Sequence, residues 1–326
     1  PRSRSVVCDR AENFFLLLVC RSRRKFGCTA QSQSGPGFLL SVIEVLKVLG
    51  FVKRNSKLSH DEYRAGHVGY HNSFGRRLNH IRGYLLNVAS NTPVVNSLGK
   101  DLVHRLTRNE PEDFDNQWDG WGQLMFDTFE DYLAARSPAR DFPGELGLQM
   151  DPMVGKLGDD LDELYAGTPF QFQVEEFISR PVVRPERKLF KLVQFGQRPV
   201  ELPIELFRAY WTGRYASLAS TMPGLRGLII NFRTPLDVMS KFFAPDAEGF
   251  TLAGIERRQD FYSLWDGMAE YWFDSEENYV RARSSKPFEP LYALEQKLFS
   301  RLFYREVDET VAVLPKRDPA PDFYHR

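Results

Sequence analysis

Two histidines four residues apart, His67 and His71, are the residues in this chain best suited to acid–base chemistry. On one helix they project from the same face about a turn apart, and imidazole titrates near neutral pH. Three readings are open at this level. The pair could act as general acid and base toward a cavity, bind a metal together with a third ligand, or simply pack. The metal reading lacks an accompanying cluster of carboxylates and histidines. Asp119 and Asp266 each sit in a Trp-Asp-Gly run. Such a carboxylate could orient a histidine or take a proton, or it could be a turn residue, since Asp-Gly favours tight backbone geometry.

Around these stand Tyr63, Tyr70, Tyr210, Trp211 and Tyr215, suited to lining a core or cavity. The Tyr215 hydroxyl could donate to a developing enolate. Arg64, Arg208 and Arg214 could receive a ligand carboxylate or belong to a solvated helix face. The sequence has no phosphate-binding loop, no dinucleotide glycine fingerprint, no His-Glu-x-x-His and no Gly-x-Ser-x-Gly elbow. No cofactor or metal is therefore expected.

The elements that must position these residues are written twice. A segment from Val45 to Val88 matches one from Leu189 to Phe232 without gaps: Phe51 and Phe195, Arg54 and Arg198, Gly69 and Gly213, and Asn87 and Asn231 are all 144 positions apart. Trp118-Asp119-Gly120 and Trp265-Asp266-Gly267 open a second matching block, 147 apart. Such internal periodicity is read before anything else, because it decides the architecture.

Within each copy the pattern changes in a fixed order. Val45 to Arg54 is apolar and β-branched, as a strand is. Ser59 and Glu62 form a capping box that opens a helix, with Tyr63, His67, Tyr70, Phe74 and Leu78 along its stripe. Gly83 to Val88 and Trp118 to Phe126 read as strands, Asp127 to Arg136 as a helix capped by Asp127 or Thr128, and Phe170 to Val183 as a fourth strand. This β-α-β-β-α-β order is ferredoxin-like. Its sheet carries helices on one face, so the other must be buried. The predicted fold class is α+β: two such modules in tandem, their sheets packed as an α/β barrel around an enclosed space, or pairing with a second chain as a homodimer.

The expected organisation is an extension over 1–40, disordered or misassigned, a first module over 41–184 with an insertion or lid near 137–165, a second over 185–314, and a tail over 315–326. All three cysteines, Cys8, Cys20 and Cys28, fall in the extension, so the modules hold no disulfide. That suits a reducing, cytoplasmic setting. The apolar run from Phe14 to Cys20 is too short for a membrane span, and RSRRK follows where a secretory cleavage site would stand. Lysine and arginine number 43, as do aspartate and glutamate. This balance gives no sign of nucleic-acid binding. Aromatic residues make up 13% of the chain, which suits a large core or an apolar cavity.

The motif set as a whole resembles the EthD family of the dimeric α/β-barrel superfamily. In the second copy the resemblance lies in Phe207, Tyr210, Trp211, Tyr215, Ala216 and Leu218, then Asp266-Gly267 and Trp272-Phe273-Asp274. In the first it lies in Tyr63, His67, His71, Asp119-Gly120 and Phe126-Asp127. The family pattern has a histidine one turn after a tryptophan. The first copy keeps the histidine as His71 and replaces the tryptophan by His67; the second keeps Trp211 and replaces the histidine by Tyr215. The resemblance implies a small, largely apolar ligand, bound between the elements of a barrel. Together these readings predict a cofactor-independent enzyme transferring protons on a hydrophobic carbonyl or aromatic metabolite, in cyclisation, dehydration or decarboxylation. His71, His67 and Asp119 would be catalytic; Tyr63, Tyr70, Trp211, Tyr215 and Arg208 would bind substrate. The alternatives are a non-catalytic binding or carrier protein and, because barrels of this superfamily can hold haem, a haem enzyme.

Overall fold

The computed structural model describes residues 45–78, 80–90, 107–136 and 161–315. The extension over 1–40, most of the 137–165 insertion and the end of the tail lie outside the described residues.

Strand β1 (Leu46–Val52) leads to helix α1 (60–75), then to β2 (Gly83–Ala89), β3 (Gly120–Phe126), helix α2 (Phe129–Arg136), the short helix α3 (Leu161–Leu164) and β4 (Phe170–Arg180). The order repeats as β5 (Phe190–Gln197), helix α4 (204–219), β6 (Leu225–Arg233), helices α5 (Met239–Phe242) and α6 (Leu252–Ser263), β7 (Gly267–Phe273), helices α7 (Glu276–Ser284) and α8 (Glu289–Leu298), and β8 (Arg301–Val313). The Ser59–Glu62 capping box forms as expected, the Ser59 hydroxyl accepting from the Glu62 amide while the Glu62 carboxylate accepts from the Ser59 amide. Thr128, not Asp127, caps α2, accepting from the Asp131 amide.

The eight strands close into one antiparallel barrel in the order β1-β3-β2-β8-β5-β7-β6-β4. Each half contributes the ferredoxin-like order: β4-β1-β3-β2 from the first, β8-β5-β7-β6 from the second. The two seams use corresponding strands, β2 on β8 and β4 on β6. One chain thus closes the barrel by itself, and the fold is α+β with two ferredoxin-like βαββαβ halves. Among the described residues, no helix is long and apolar enough to cross a membrane.

Successive side chains of a strand face opposite ways, and this decides where the chemistry can sit. Leu49 and Phe51 point into the barrel, where Phe51 stacks on Trp121 and Phe172 and meets Phe195 of the other half edge-on. Val48, Gly50 and Val52 point outward, beneath the helices. The barrel interior, expected to be the ligand chamber, is instead packed with aromatic rings at one level. At the next it holds an ionic network: Lys47 Nζ is 2.8 Å from Glu176 and 2.9 Å from Glu270, and Lys191 Nζ is 2.6 Å from Glu270 and 2.7 Å from Glu309.

Candidate functional site

The outer face of the first sheet carries the candidate site. Helix α1 begins α-helical at His60–Ala65, widens into a π-helical turn over Gly66–His71 and ends α-helical at Asn72–Gly75. The wider turn brings residues four apart close to overlap. Tyr63, His67 and His71 stack in sequence, with ring centroids 5.3 and 5.7 Å apart and planes within 15° and 12° of parallel. π-Turns of this kind occur often at functional sites. Tyr165, just after α3, sets its ring edge against His67 and His71 at 5.8 and 5.7 Å. Its hydroxyl lies 2.7 Å from His67 Nδ1.

His67, His71 and Tyr165 line a pocket with an enclosed volume of about 60 Å³. Gly50 and Gly122 form its floor, Tyr84, Leu124 and Gln171 its walls, and Phe242 and Phe243, from the β6–β7 connection, one side. A Cβ added at Gly50 or Gly122 would meet its nearest neighbour at 3.5 Å, so a larger side chain at either position would extend over the floor. His67 is 2% exposed, and its Nε2 has no hydrogen-bond partner. Burial, reinforced by the charge His71 would carry, holds its pKa well below 6.5. It is therefore neutral at physiological pH, with one ring nitrogen engaged by Tyr165 and the other buried and unpaired.

The second half supplies an internal comparison. Helix α4 has the same π-turn, over Trp211–Tyr215. The strand registers make Gln171 and Tyr304 equivalent, paired with Gly50 and Gln194 respectively. The backbone bonds just before these strands make Tyr165 the counterpart of Phe299, each followed by a residue whose amide bonds the end of the first strand of its half. The set Tyr63, His67, His71 and Tyr165 thus becomes Phe207, Trp211, Tyr215 and Phe299. Phe299 sets its edge against Trp211 and Tyr215 at 4.9 and 6.0 Å, as Tyr165 does against the two histidines. Where the first half has the Gly50 floor, the second has Gln194, hydrogen-bonded to Tyr215, Tyr271 and Tyr304. Tyr215 also donates to Glu295, whose carboxylate holds buried Arg283. The same framework has been filled in one half and left with titratable groups and a pocket in the other.

Several expected site residues fall elsewhere. Trp211 and Tyr215 belong to the core of the second half, so they do not join the histidines in one site. Burial, then the Glu295 charge, pushes the Tyr215 phenol well above its ordinary pKa, which leaves it a satisfied neutral hydroxyl. Arg208 pairs with Glu175 at 2.6 Å and lies over the Phe232 ring. Tyr70 is 48% exposed and packs on Phe74. Tyr63 is buried behind His67 rather than lining the pocket.

Asp119 is a strut rather than a pocket carboxylate. It accepts from the Arg54 amide and Arg54 Nε at 3.0 and 3.1 Å, and pairs with Lys53 at 2.8 Å. Asp266 accepts from the Arg198 amide at 2.9 Å in the same way. The repeated Phe-x-x-Arg and Asp-Gly motifs thus meet each other, bracing the end of one strand against the start of another in both halves. Two pocket elements escaped the sequence reading. Tyr165 sits in an insertion with no clean periodicity, and Phe242 and Phe243 reach the first half's pocket from the second half's chain.

Among the described residues, no group of three or more His, Cys, Asp or Glu side chains could hold a metal.

No family model matches the sequence, and no curated protein matches it. Solved structures do resemble it at low identity. An anthrone oxidase-like protein matches with TM-score 0.44 and 9% identity, over 82% of this chain and 94% of its own. An EthD family protein from Bacillus halodurans matches with TM-score 0.24 and 16% identity, over 37% of this chain and 96% of its own. A mutant chlorite dismutase from Candidatus Nitrospira defluvii matches with TM-score 0.35 and 11% identity, over 81% and 92%.

Proposed function

We propose that the pocket over the first sheet is a cofactor-independent proton-transfer site for a small hydrophobic carbonyl or aromatic metabolite. The observation that carries this reading is the unpaired, buried Nε2 of His67, a pocket-lining residue, within a constellation whose counterpart is Phe207, Trp211, Tyr215 and Phe299. Phenylalanine and tryptophan satisfy the packing in the second half, so packing alone does not require histidine and tyrosine in the first. Neutral imidazole in a partly desolvated pocket suits general acid–base work, which contributes typically about 10²–10⁴-fold to a rate. In this assignment His71, half-buried beside the pocket, moves the proton, and His67 binds or polarises the acceptor. Cyclisation, dehydration and decarboxylation all pass through such a step.

The step can be tested before the natural substrate is identified. A general base removes a proton next to a carbonyl, and in heavy water that position exchanges. The full chain is incubated in D2O with a panel of small β-dicarbonyl and phenolic ketone compounds, and exchange is followed by proton NMR. The wild type is expected to accelerate exchange of at least one compound at least tenfold over His71→Ala. If binding is seen but exchange is equal in both proteins for every compound, the pocket is a carrier site and the catalytic reading is wrong.

A further inference from the structure

We propose that Tyr165 is the positioning residue that fixes His67 as its Nε2–H tautomer, so that the pocket presents an N–H donor to an acceptor oxygen of the ligand. This deepens the proton-transfer reading and rests on it. Three observations lead there. The Tyr165 hydroxyl lies 2.7 Å from His67 Nδ1, well inside hydrogen-bonding distance. The Tyr165 backbone is tied down on both sides, the Asn55 amide donating to the Leu164 carbonyl and the Ala166 amide to the Lys53 carbonyl, each at 2.8 Å. And Nε2, the nitrogen on the far side of the ring, is buried without a partner, on a residue that lines the pocket.

The direction of the Tyr165–His67 bond follows from the chemistry of its ends. A neutral imidazole has one bare nitrogen and one N–H. The bare nitrogen is much more basic than a phenol oxygen, and the phenol O–H is more acidic than the imidazole N–H. The matched arrangement has Tyr165 donating to a bare Nδ1, which leaves the ring proton on Nε2. A buried N–H without a partner is costly, and an oxygen of the ligand supplies the acceptor. A neutral imidazole N–H aimed at a carbonyl or enolate oxygen stabilises charge as it develops there. It gives up no proton, which leaves proton transfer to His71. The pocket therefore selects ligands with a ketone, enolate or phenolate oxygen over hydrocarbons of the same shape. In the second half, Phe299 and Trp211 replace Tyr165 and His67, so both the hydroxyl and the imidazole are absent there.

The tautomer is directly observable. Two-bond proton–nitrogen correlation spectra of the full chain, labelled with 15N-histidine, distinguish Nε2–H from Nδ1–H; the His67 pattern is assigned by its loss in His67→Asn. The wild type is expected to show a single Nε2–H pattern for His67, and Tyr165→Phe a tautomeric mixture. Phenylalanine already occupies the matching position 299, which favours a folded variant. Should that variant unfold, the wild-type spectrum still decides the matter. An Nδ1–H pattern in the wild type, or an Nε2–H pattern unchanged in Tyr165→Phe, overturns the assignment. Either result leaves the exchange experiment above untouched, and failed exchange with an Nε2–H tautomer would overturn the catalytic reading while leaving the role of Tyr165 intact.

Discussion

His67 is an ionisable group held away from water, and that has a consequence for stability that can be measured without any ligand. Its folded pKa lies well below 6.5, chiefly through burial, whereas the unfolded chain protonates it near 6.5. As pH falls below 6.5 the unfolded state takes up a proton that the native state refuses, so stability is lost on acidification. Above 6.5 both states are neutral and the effect vanishes. In His67→Phe the effect should be absent. The difference in unfolding free energy between wild type and variant, from urea titrations, should therefore shift against the wild type between pH 7 and pH 5, with a slope approaching about 1.4 kcal/mol per pH unit. Parallel profiles would mean that the ring protonates freely in the native state. At this scale the sequence was half informative. The i, i+4 spacing placed His67 and His71 on one face, but Trp211 and Tyr215 were expected to shape the same site. Only strand pairing shows that those two belong to a separate core. Asp119 was ambiguous for a physical reason: an Asp-Gly pair looks the same whether its carboxylate faces a ligand or, as here, the amide and guanidinium of Arg54.

At the scale of elements, the order of strands and helices was legible because alternation and the capping box are local signals. The π-turn was not, since nothing in residue type distinguishes it from an ordinary helical turn; only its recurrence at the matching place in α4 shows that it belongs to the framework. Nor was the close approach of α1 to α3, on which the placing of Tyr165 depends. Gly66 makes that approach possible: a Cβ there would lie 2.4 Å from Leu164 Cδ2. Gly66→Ala should accordingly destabilise the protein by about 1–3 kcal/mol through overpacking, even though alanine is the better helix former. With Leu164→Ala as background the clash disappears, and the same substitution should stabilise by up to about 1 kcal/mol. A double-mutant cycle by chemical denaturation reads this reversal of sign. Independent, additive effects would show that α1 and α3 are not pressed together at this point.

At the scale of the whole molecule, the two halves are joined by charges inside the barrel. Lys47 and Lys191 are separated by the repeat interval of 144, as are Asn87 and Asn231. A lysine within an apolar run suggests an exposed side chain, yet both face inward, on the side of Leu49 and Phe51. Each has a partner on a neighbouring strand of its own half, Glu176 on β4 for Lys47 and Glu309 on β8 for Lys191, and both reach Glu270 on β7, so that Lys47 joins the first half to the second. Arg184 adds a third cation beside Glu309. No local pattern could reveal this, because each contact joins residues more than 75 positions apart. Among the described residues, three carboxylates here meet three cations. Burial alone would raise the pKa of Glu270, but Lys191 and Lys47 together overcome it and hold the carboxyl below the ordinary range. The two-fold correspondence breaks at Glu270: opposite it stands Gln123, donating to it at 2.5 Å. Glu270→Gln should leave a buried positive charge uncompensated and cost on the order of 3 kcal/mol. Gln123→Glu should also destabilise, by setting a second carboxylate beside the first. Because the two positions are equivalent about the barrel axis, the exchange Gln123→Glu with Glu270→Gln returns the charge count to balance and should recover most of the loss. Urea midpoints of the four proteins form a double-mutant cycle. A coupling near zero would mean that the lysines do not read the two positions alike and that the symmetry of the barrel is one of backbone only.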